Sequence, residues 1–199
     1  MTAVEDKRAE EKRVEDKRTA ILDATLRLIS QHGFHGTAMA KVAAEAGVSA
    51  GIIYHYFKSK DELIDELYVT IKRRSATAIL VNVTPEIPLP SQLRLALRNI
   101  LRYFVRHPME AAFLEQYMRS PYFRPEIEER AKECYLPVMN AIKRAEQEMV
   151  IKAFPAAVST TLTLDIATSL AQKHEAGFVE MTDELIERVV DALWEALRR

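Results

Sequence analysis

Five glycines and one cysteine in 199 residues leave little of the material from which several classes of protein are built. Neither glycine-rich phosphate-binding signature occurs: there is no G-x-x-x-x-G-K-[ST] and no G-x-G-x-x-G. The nucleophile elbow G-x-S-x-G and the zinc-protease H-E-x-x-H are missing too. A lone cysteine, Cys134, cannot close an intrachain disulfide, which fits a reducing compartment. The histidines do not cluster. His32 and His35 straddle Gly33 with no carboxylate or cysteine beside them, a poor spacing for a metal. No catalytic residue, metal or cofactor is expected, and an enzyme hidden in the helical part lacks any constellation to run it.

A long apolar run is lacking as well. Nothing approaches the roughly 20 residues that cross a bilayer. The opening M-T-A-V-E-D-K-R is charged where a secretory signal would be apolar, so the expected location is the cytoplasm, with no membrane partner. Charge of one sign is also missing: 28 Lys and Arg stand against 29 Asp and Glu, for a net charge of −1. A protein that coats nucleic acid without regard to sequence carries a large basic excess. Any DNA affinity here must come from local placement, as in a specific dimeric reader. Hydrophobic content of 48% with 29% charged residues is ordinary for a globular chain of one or two domains.

The first segment present is a repeat of period five: V-E-D-K-R, A-E-E-K-R and V-E-D-K-R over residues 4–18. Five matches no core-forming period. Val4, Ala9 and Val14 share no helix face, whereas Glu5 with Arg8, Glu10 with Arg13 and Glu15 with Arg18 have the spacing of i,i+3 ion pairs. The reading is a solvated extension of helix 1. A basic arm in a minor groove is the alternative, which two acids per two bases in each pentad disfavour.

Residues 37–63, T-A-M-A-K-V-A-A-E-A-G-V-S-A-G-I-I-Y-H-Y-F-K-S-K-D-E-L, are the most informative stretch. Thr37 reads as the cap of a helix with apolar positions Met39, Val42, Ala43 and Ala46, ended by a left-handed Gly47. Ser49 caps the next helix only three residues on, and so short a glycine-containing joint is that of a helix-turn-helix. Helical spacing puts Ile52, Ile53, Tyr56 and Phe57 on a packing face. Ala50, Gly51, Tyr54, His55 and Lys58 fall on the opposite face, free for DNA. That face has no Arg, Asn or Gln, so strong bidentate base reading is not expected from it. Ser59 to Glu62 reads as a capping box opening another helix, with Lys60 in its first turn placed for a phosphate. Before this stretch, residues 19–32 form a helix with Ile21, Leu22, Ala24, Thr25, Leu26, Leu28, Ile29 and His32 on one broad face, ended by Gly33.

Residues 18–67 resemble the DNA-binding domain of the TetR family of bacterial transcriptional regulators. The resemblance rests on I-L-D-A-T-L-R-L-I-S-Q-H-G-F, Thr37, the A-G-V-S-A-G turn and I-Y-H-Y-F-K-S-K-D-E-L. It implies DNA contacts from Thr37, Ser49, Gly51, Tyr54, His55 and Lys60. It also implies a second domain whose last two helices form a four-helix bundle with their copies in a partner, and which relays effector binding through helix 4.

The rest of the chain reads as helices without a strand signal. Helix 4 runs to about residue 80, and the proline-containing stretch 82–90 interrupts the pattern. Ser91 caps a helix to His107, and one follows over 109–119. A long helix is expected over 126–153, kinked at Pro137, then helices over 155–174 and 182–198. The last carries Leu185, Val189, Val190, Leu193, Trp194 and Leu197 on a face wide enough for its own domain and a second molecule. With Leu162, Ile166 and Leu170 of the preceding helix it forms the expected homodimer interface, and small residues including Ala167 and Ala171 allow close approach. Asp165 is the only charge over residues 158–171 and reads as part of a polar face. Tyr103, Phe104, His107, Phe113, Tyr117, Cys134, Tyr135 and Met139 are candidates to line an effector cavity, though aromatic residues at helical spacing are more often core.

The expectation is therefore an all-α chain with three parts: a charged tail at 1–17, a helix-turn-helix domain at 18–63, and an effector-binding and dimerisation domain at 64–199. The partners implied are a double-stranded DNA operator, a second copy of the chain and a small hydrophobic or amphipathic effector that releases a repressor. The alternative is a non-sensing dimeric DNA organiser with a filled core.

Overall fold

The structure is a computed structural model that describes residues 3–199, the side chains of residues 3–6 and 9–12 excepted. The expected pairs of Glu5 and Glu10 lie outside the described residues. The described residues are helical, with one isolated β-bridge between Ile151 and Arg198. The chain divides into two compact units, Met1–Tyr68 and Val69–Arg199, and the division falls inside a helix.

In the first unit α1 spans Ala3–Gly36, α2 Met39–Glu45 and α3 Ala50–Tyr56, and α4, Lys60–Ile79, begins. The regular part of α1 stops at Gly33, where φ of 66° admits no side chain cheaply. Ile21, Leu22, Ala24 and Ile29 are fully buried, as the wide apolar face requires, but His32 is exposed and leaves that face. Arg18 does not pair with Glu15. Its guanidinium lies 2.5 Å from Glu66 of α4 and 5.7 Å from the centroid of Phe57, which ties residue 18 to the packed unit.

The second unit holds the rest of α4 with α5 (Leu89–Arg106), α6 (Pro108–Met118), α7 (Pro125–Lys132), α8 (Leu136–Gln147), α9 (Ala156–Thr160), α10 (Ile166–Glu175) and α11 (Asp183–Leu197). Four expectations are corrected. Ser91 is not a cap, because α5 starts earlier with Pro88 as its N-cap and Pro90 in its first turn. The long helix over 126–153 is two: a 3-10 turn, Glu133–Tyr135, separates them, and Pro137 takes the first turn of α8, where its missing N–H is no loss. Helix α8 stops at Gln147 because Met149 takes a left-handed φ of 58°, with Val150 N–H returning to the Ala145 carbonyl at 2.9 Å. The helix over 155–174 is interrupted by a π turn, Thr161–Asp165, between α9 and α10.

Helix α11 packs on α5 through a buried stripe of Ile186, Val190, Leu193 and Leu197, flanked by charges. Arg94, Arg98 and Arg102, one per turn of α5, meet Asp191, Glu187 and Asp183 of α11 in reverse order. Arg98 is bidentate on Glu187, its second contact 2.5 Å long. Val190, Leu193 and Leu197 are therefore core residues of their own chain, and so are Ala167 and Ala171 at 0% exposure. The expectation that these five meet a partner is withdrawn. By helical spacing Trp194 joins the flank of Glu187 and Asp191. Leu185 and Val189, with the unforeseen Ala192 and Ala196, form the stripe α11 leaves open, while Leu162, Ile166 and Leu170 stay partly exposed.

Candidate nucleic-acid interface

The joint between α2 and α3 is built by backbone chemistry that the sequence specifies. Gly47, at φ 66°, lets Val48 N–H bond the Ala43 carbonyl at 2.9 Å while its own N–H bonds Ala44 at 3.2 Å, which satisfies the end of α2 and turns the chain. Ser49 then caps α3, its hydroxyl accepting from Ile52 N–H at 3.3 Å. Ile53 and Phe57 are buried at 0 and 1% exposure. That anchorage leaves Ala50, Gly51, Tyr54, His55 and Lys58 exposed along the opposite side, with Tyr54 at 54%.

The start of α4 is fastened beside it. Ser59 accepts from Glu62 N–H at 3.1 Å, and Glu62 reaches back one residue further than a standard capping box, to Lys58 N–H at 2.7 Å. The Lys60 ammonium donates to the Phe34 carbonyl, linking α4 to the end of α1. Its expected role as a free phosphate contact is thus joined to a structural one.

Thr37 differs from expectation more sharply. The residue at the N-cap of α2 is Ala38, which offers no side-chain cap. Thr37 is 1% exposed and gives its hydroxyl to the Gly33 carbonyl at 2.9 Å, so it fixes the α1–α2 corner and presents no group to a duplex. The reading from spacing passed over Lys41, an exposed cation on α2 whose ammonium lies 3.4 Å from the Gly36 carbonyl. An exposed lysine beside the helix-turn-helix was its only signal.

The first unit thus presents a short helix seated by its apolar side and open on its polar side, and it matches the model "Bacterial regulatory proteins, tetR family" over residues 21–67. Residues 88–198 match "Tetracyclin repressor-like, C-terminal domain", more than half of the chain. The chain belongs to the TetR family. A helix-turn-helix type transcriptional regulator of Haemophilus influenzae is 27% identical over 179 residues, 90% of this chain and 94% of that one. A TetR family transcription regulator from Marinobacter aquaeolei, solved as a crystal structure, superposes with a TM-score of 0.87 at 28% identity, over 94% of this chain and 98% of its own. FadR of Bacillus subtilis, solved with stearoyl-CoA, shares the fold with a TM-score of 0.67 at 16% identity, over 89% of this chain and 95% of its own. The family consists of DNA-binding transcription regulators, not enzymes. No described helix is long and apolar enough to cross a membrane.

The residues proposed for an effector separate into three groups. Phe104, Phe113 and Tyr117 are core, at 0, 2 and 0% exposure, with Phe113 and Tyr117 stacked at 5.9 Å. His107 and Met139 are exposed at the surface, His107 with its ring 4.6 Å from Tyr103, and they leave the candidate lining. Tyr103, Cys134 and Tyr135 are partly buried, and the two tyrosines belong to a polar network. Tyr103 donates to Glu110, whose other oxygen lies 3.1 Å from Arg74 of α4; Tyr135 and Ser75 of α4 share a hydrogen bond. Burial, then the Glu110 hydrogen bond, raises the Tyr103 phenol far above its ordinary value, and burial does the same to Tyr135. Both tyrosines are neutral donors at physiological pH.

Proposed function

We propose that this TetR-family regulator is a cytoplasmic repressor that binds a pseudo-palindromic operator as a homodimer and is released by a small hydrophobic or amphipathic effector. The observation that carries the DNA-binding half is the polarity of α3, anchored by Ile53 and Phe57 and open at Ala50, Gly51, Tyr54, His55 and Lys58. Two such helices set about one turn of duplex apart, roughly 34 Å, would read successive major grooves. The open stripe Leu185, Val189, Ala192 and Ala196, with the partly exposed Leu162, Ile166 and Leu170, supports pairing with a second copy.

Effector release is supported by the polar side chains that α4 sends into the second unit, an unusual investment for a helix whose only task is to fill a core. The FadR–stearoyl-CoA structure adds that this fold can hold a small molecule. The filled aromatic core of Phe104, Phe113 and Tyr117 is the feature that favours the non-sensing organiser instead.

The test is a salt-dependent binding titration on a duplex selected from random sequence. Tyr54→Ala and Lys58→Ala should weaken binding to every sequence, and Lys58→Ala should lower the salt slope by about 0.9 per half-site. Unchanged affinity in both variants overturns the assigned interface. A thermal-shift screen followed by operator release decides between the sensing and non-sensing forms.

A further inference from the structure

Phe178 is the most exposed large apolar side chain among the described residues, at 84%. It lies in the loop between α10 and α11, and the backbone there holds it out. Gly177, at φ 75°, ends α10 in a Schellman turn: its own N–H bonds the His174 carbonyl at 3.0 Å, and Phe178 N–H bonds the Lys173 carbonyl at 2.9 Å. In such a turn the residue in the place of Phe178 commonly packs back on the side chains five and six residues before it. Here those are Lys173 and Gln172, so α10 offers the ring no apolar partner. Lys173 is turned to Ser169 and Gln172 to Glu115 of α6.

The far side of the loop is tied as well. His174 Nδ1 lies 3.2 Å from the Val179 carbonyl and 3.4 Å from Met181 N, and Met181 itself is buried. Thr182 then caps α11, its hydroxyl accepting from Leu185 N–H at 3.2 Å. Phe178 is thus an aromatic ring on a support fastened at both ends. Aromatic side chains dominate the few positions that carry most of the energy of a protein interface.

The open stripe of α11, which begins beside this loop, needs such an anchor. A stable interface buries about 800 Å² on each partner. The stripe passes from Leu185 and Val189 to Ala192 and Ala196, whose small side chains add little area of their own and leave room for a ring. The large group therefore stands at one end of α11 and the room for it at the other. A second copy laid antiparallel brings the two together, and a two-fold axis fills both seats at once.

Charge obeys the same arrangement. Exposed Glu175, Glu180 and Glu184 stand near Phe178 in the chain. At the other end of α11 are Lys152, whose ammonium lies 2.9 Å from the Ala196 carbonyl, and Arg199, whose N–H bonds Val150 at 3.2 Å. Asp183 at the acidic end is engaged by Arg102, and Arg198 at the basic end by Glu195. Antiparallel pairing sets acid against base at both ends, whereas parallel pairing would set acid against acid.

We infer that Phe178 anchors the contact between two copies of this chain, its ring seated on the antiparallel α11 of the other copy against the partner's Ala192 and the partner's Ala196. The inference rests on the homodimer reading above and deepens it, giving that interface an anchor and a direction.

The experiment follows the mass of the full-length protein by light scattering through a dilution series. Phe178→Ala should raise the dimer dissociation constant about thirtyfold or more, the loss of at least one interface hot spot. Its helical circular dichroism should match the wild type, since so exposed a ring holds up nothing in its own chain. Ala196→Phe, which fills the seat from an exposed position, should weaken association as well. Combining Phe178→Ala with Ala196→Phe exchanges ring and seat, and should recover about tenfold or more of the loss. Val81→Ala, an exposed apolar position between α4 and α5, should leave association unchanged. The inference is overturned if Phe178→Ala associates as the wild type does, if Val81→Ala weakens association as much, or if the double variant is no better than Phe178→Ala alone. A monomeric wild type would remove the homodimer reading with it, whereas a dimer indifferent to Phe178→Ala removes the inference alone.

Discussion

Replacing Gly51 by alanine should move stability and DNA affinity in opposite directions. Gly51 lies in the first turn of α3, and it is exposed and free of any positive φ. A Cβ built on it meets only the Ser49 hydroxyl, at 3.9 Å, which is ordinary contact. Nothing within the chain therefore requires glycine, although glycine in an exposed helix costs up to about 1 kcal/mol relative to alanine. The substitution should stabilise the first unit by about 0.5 kcal/mol, since the end of a helix expresses only part of its propensity. A gain of that size raises a Tm by about 1–2 °C in a chain of this length. On DNA the sign reverses. If α3 enters the groove by its N-terminal turn, an added methyl holds the backbone off the duplex and forfeits a contact worth about 1–3 kcal/mol. A dimer loses it twice, so affinity should fall by about thirtyfold at the least and by as much as about twenty-thousandfold. Differential scanning fluorimetry reads the first effect and fluorescence anisotropy on the selected duplex the second. An alanine variant that binds as tightly as the wild type would refute the placement of the α3 N-terminus against DNA.

Two further outcomes follow from the second unit. Val189→Glu, on the open stripe of α11, should yield a folded protein of lower mass by light scattering, whereas Val190→Glu, at 0% exposure, should unfold the unit because a charge is buried without a partner; a folded Val190→Glu variant would reverse the assigned faces. Glu187 is held below the ordinary glutamate value of 4.5 by its hydrogen bonds to Arg98, so its contribution is present above pH 4.5 and is lost as pH falls through the depressed value. Melting curves of wild type and Glu187→Gln should differ at neutral pH and converge in acid, and a difference that grows in acid would contradict the pairing.

The helix-turn-helix was legible because its signals are local. Gly47, Ser49 and the alternation of Ile53 and Phe57 with Tyr54 and Lys58 act over five residues or fewer, so spacing alone orders them. Thr37 was misread since a threonine before a helix has two uses for its hydroxyl, and only the position of Gly33 decides that the carbonyl at that corner takes it. The end of α8 carried no signal: a methionine in the left-handed region reads in sequence like any other helical residue. On α11 the breadth of the apolar face was legible but not its division, because part of it is claimed by α5, which lies more than 75 residues away in the chain. The arginines of α5 did hold a clue, repeating every fourth residue as the acids of α11 do.

That repeat sets how the two helices can slide. Arg94, Arg98 and Arg102 run against Asp191, Glu187 and Asp183, so the pairing is satisfied throughout in one alignment only. A slip of one turn, about 5.4 Å, leaves an arginine unmatched at one end and a carboxylate unmatched at the other, while the apolar stripe between them would tolerate the move. Partly exposed pairs of this kind contribute little to the depth of the native well. Their effect is on its width: they work as the teeth of a ratchet, with one notch, and keep the open face of α11 at a single height along the molecule.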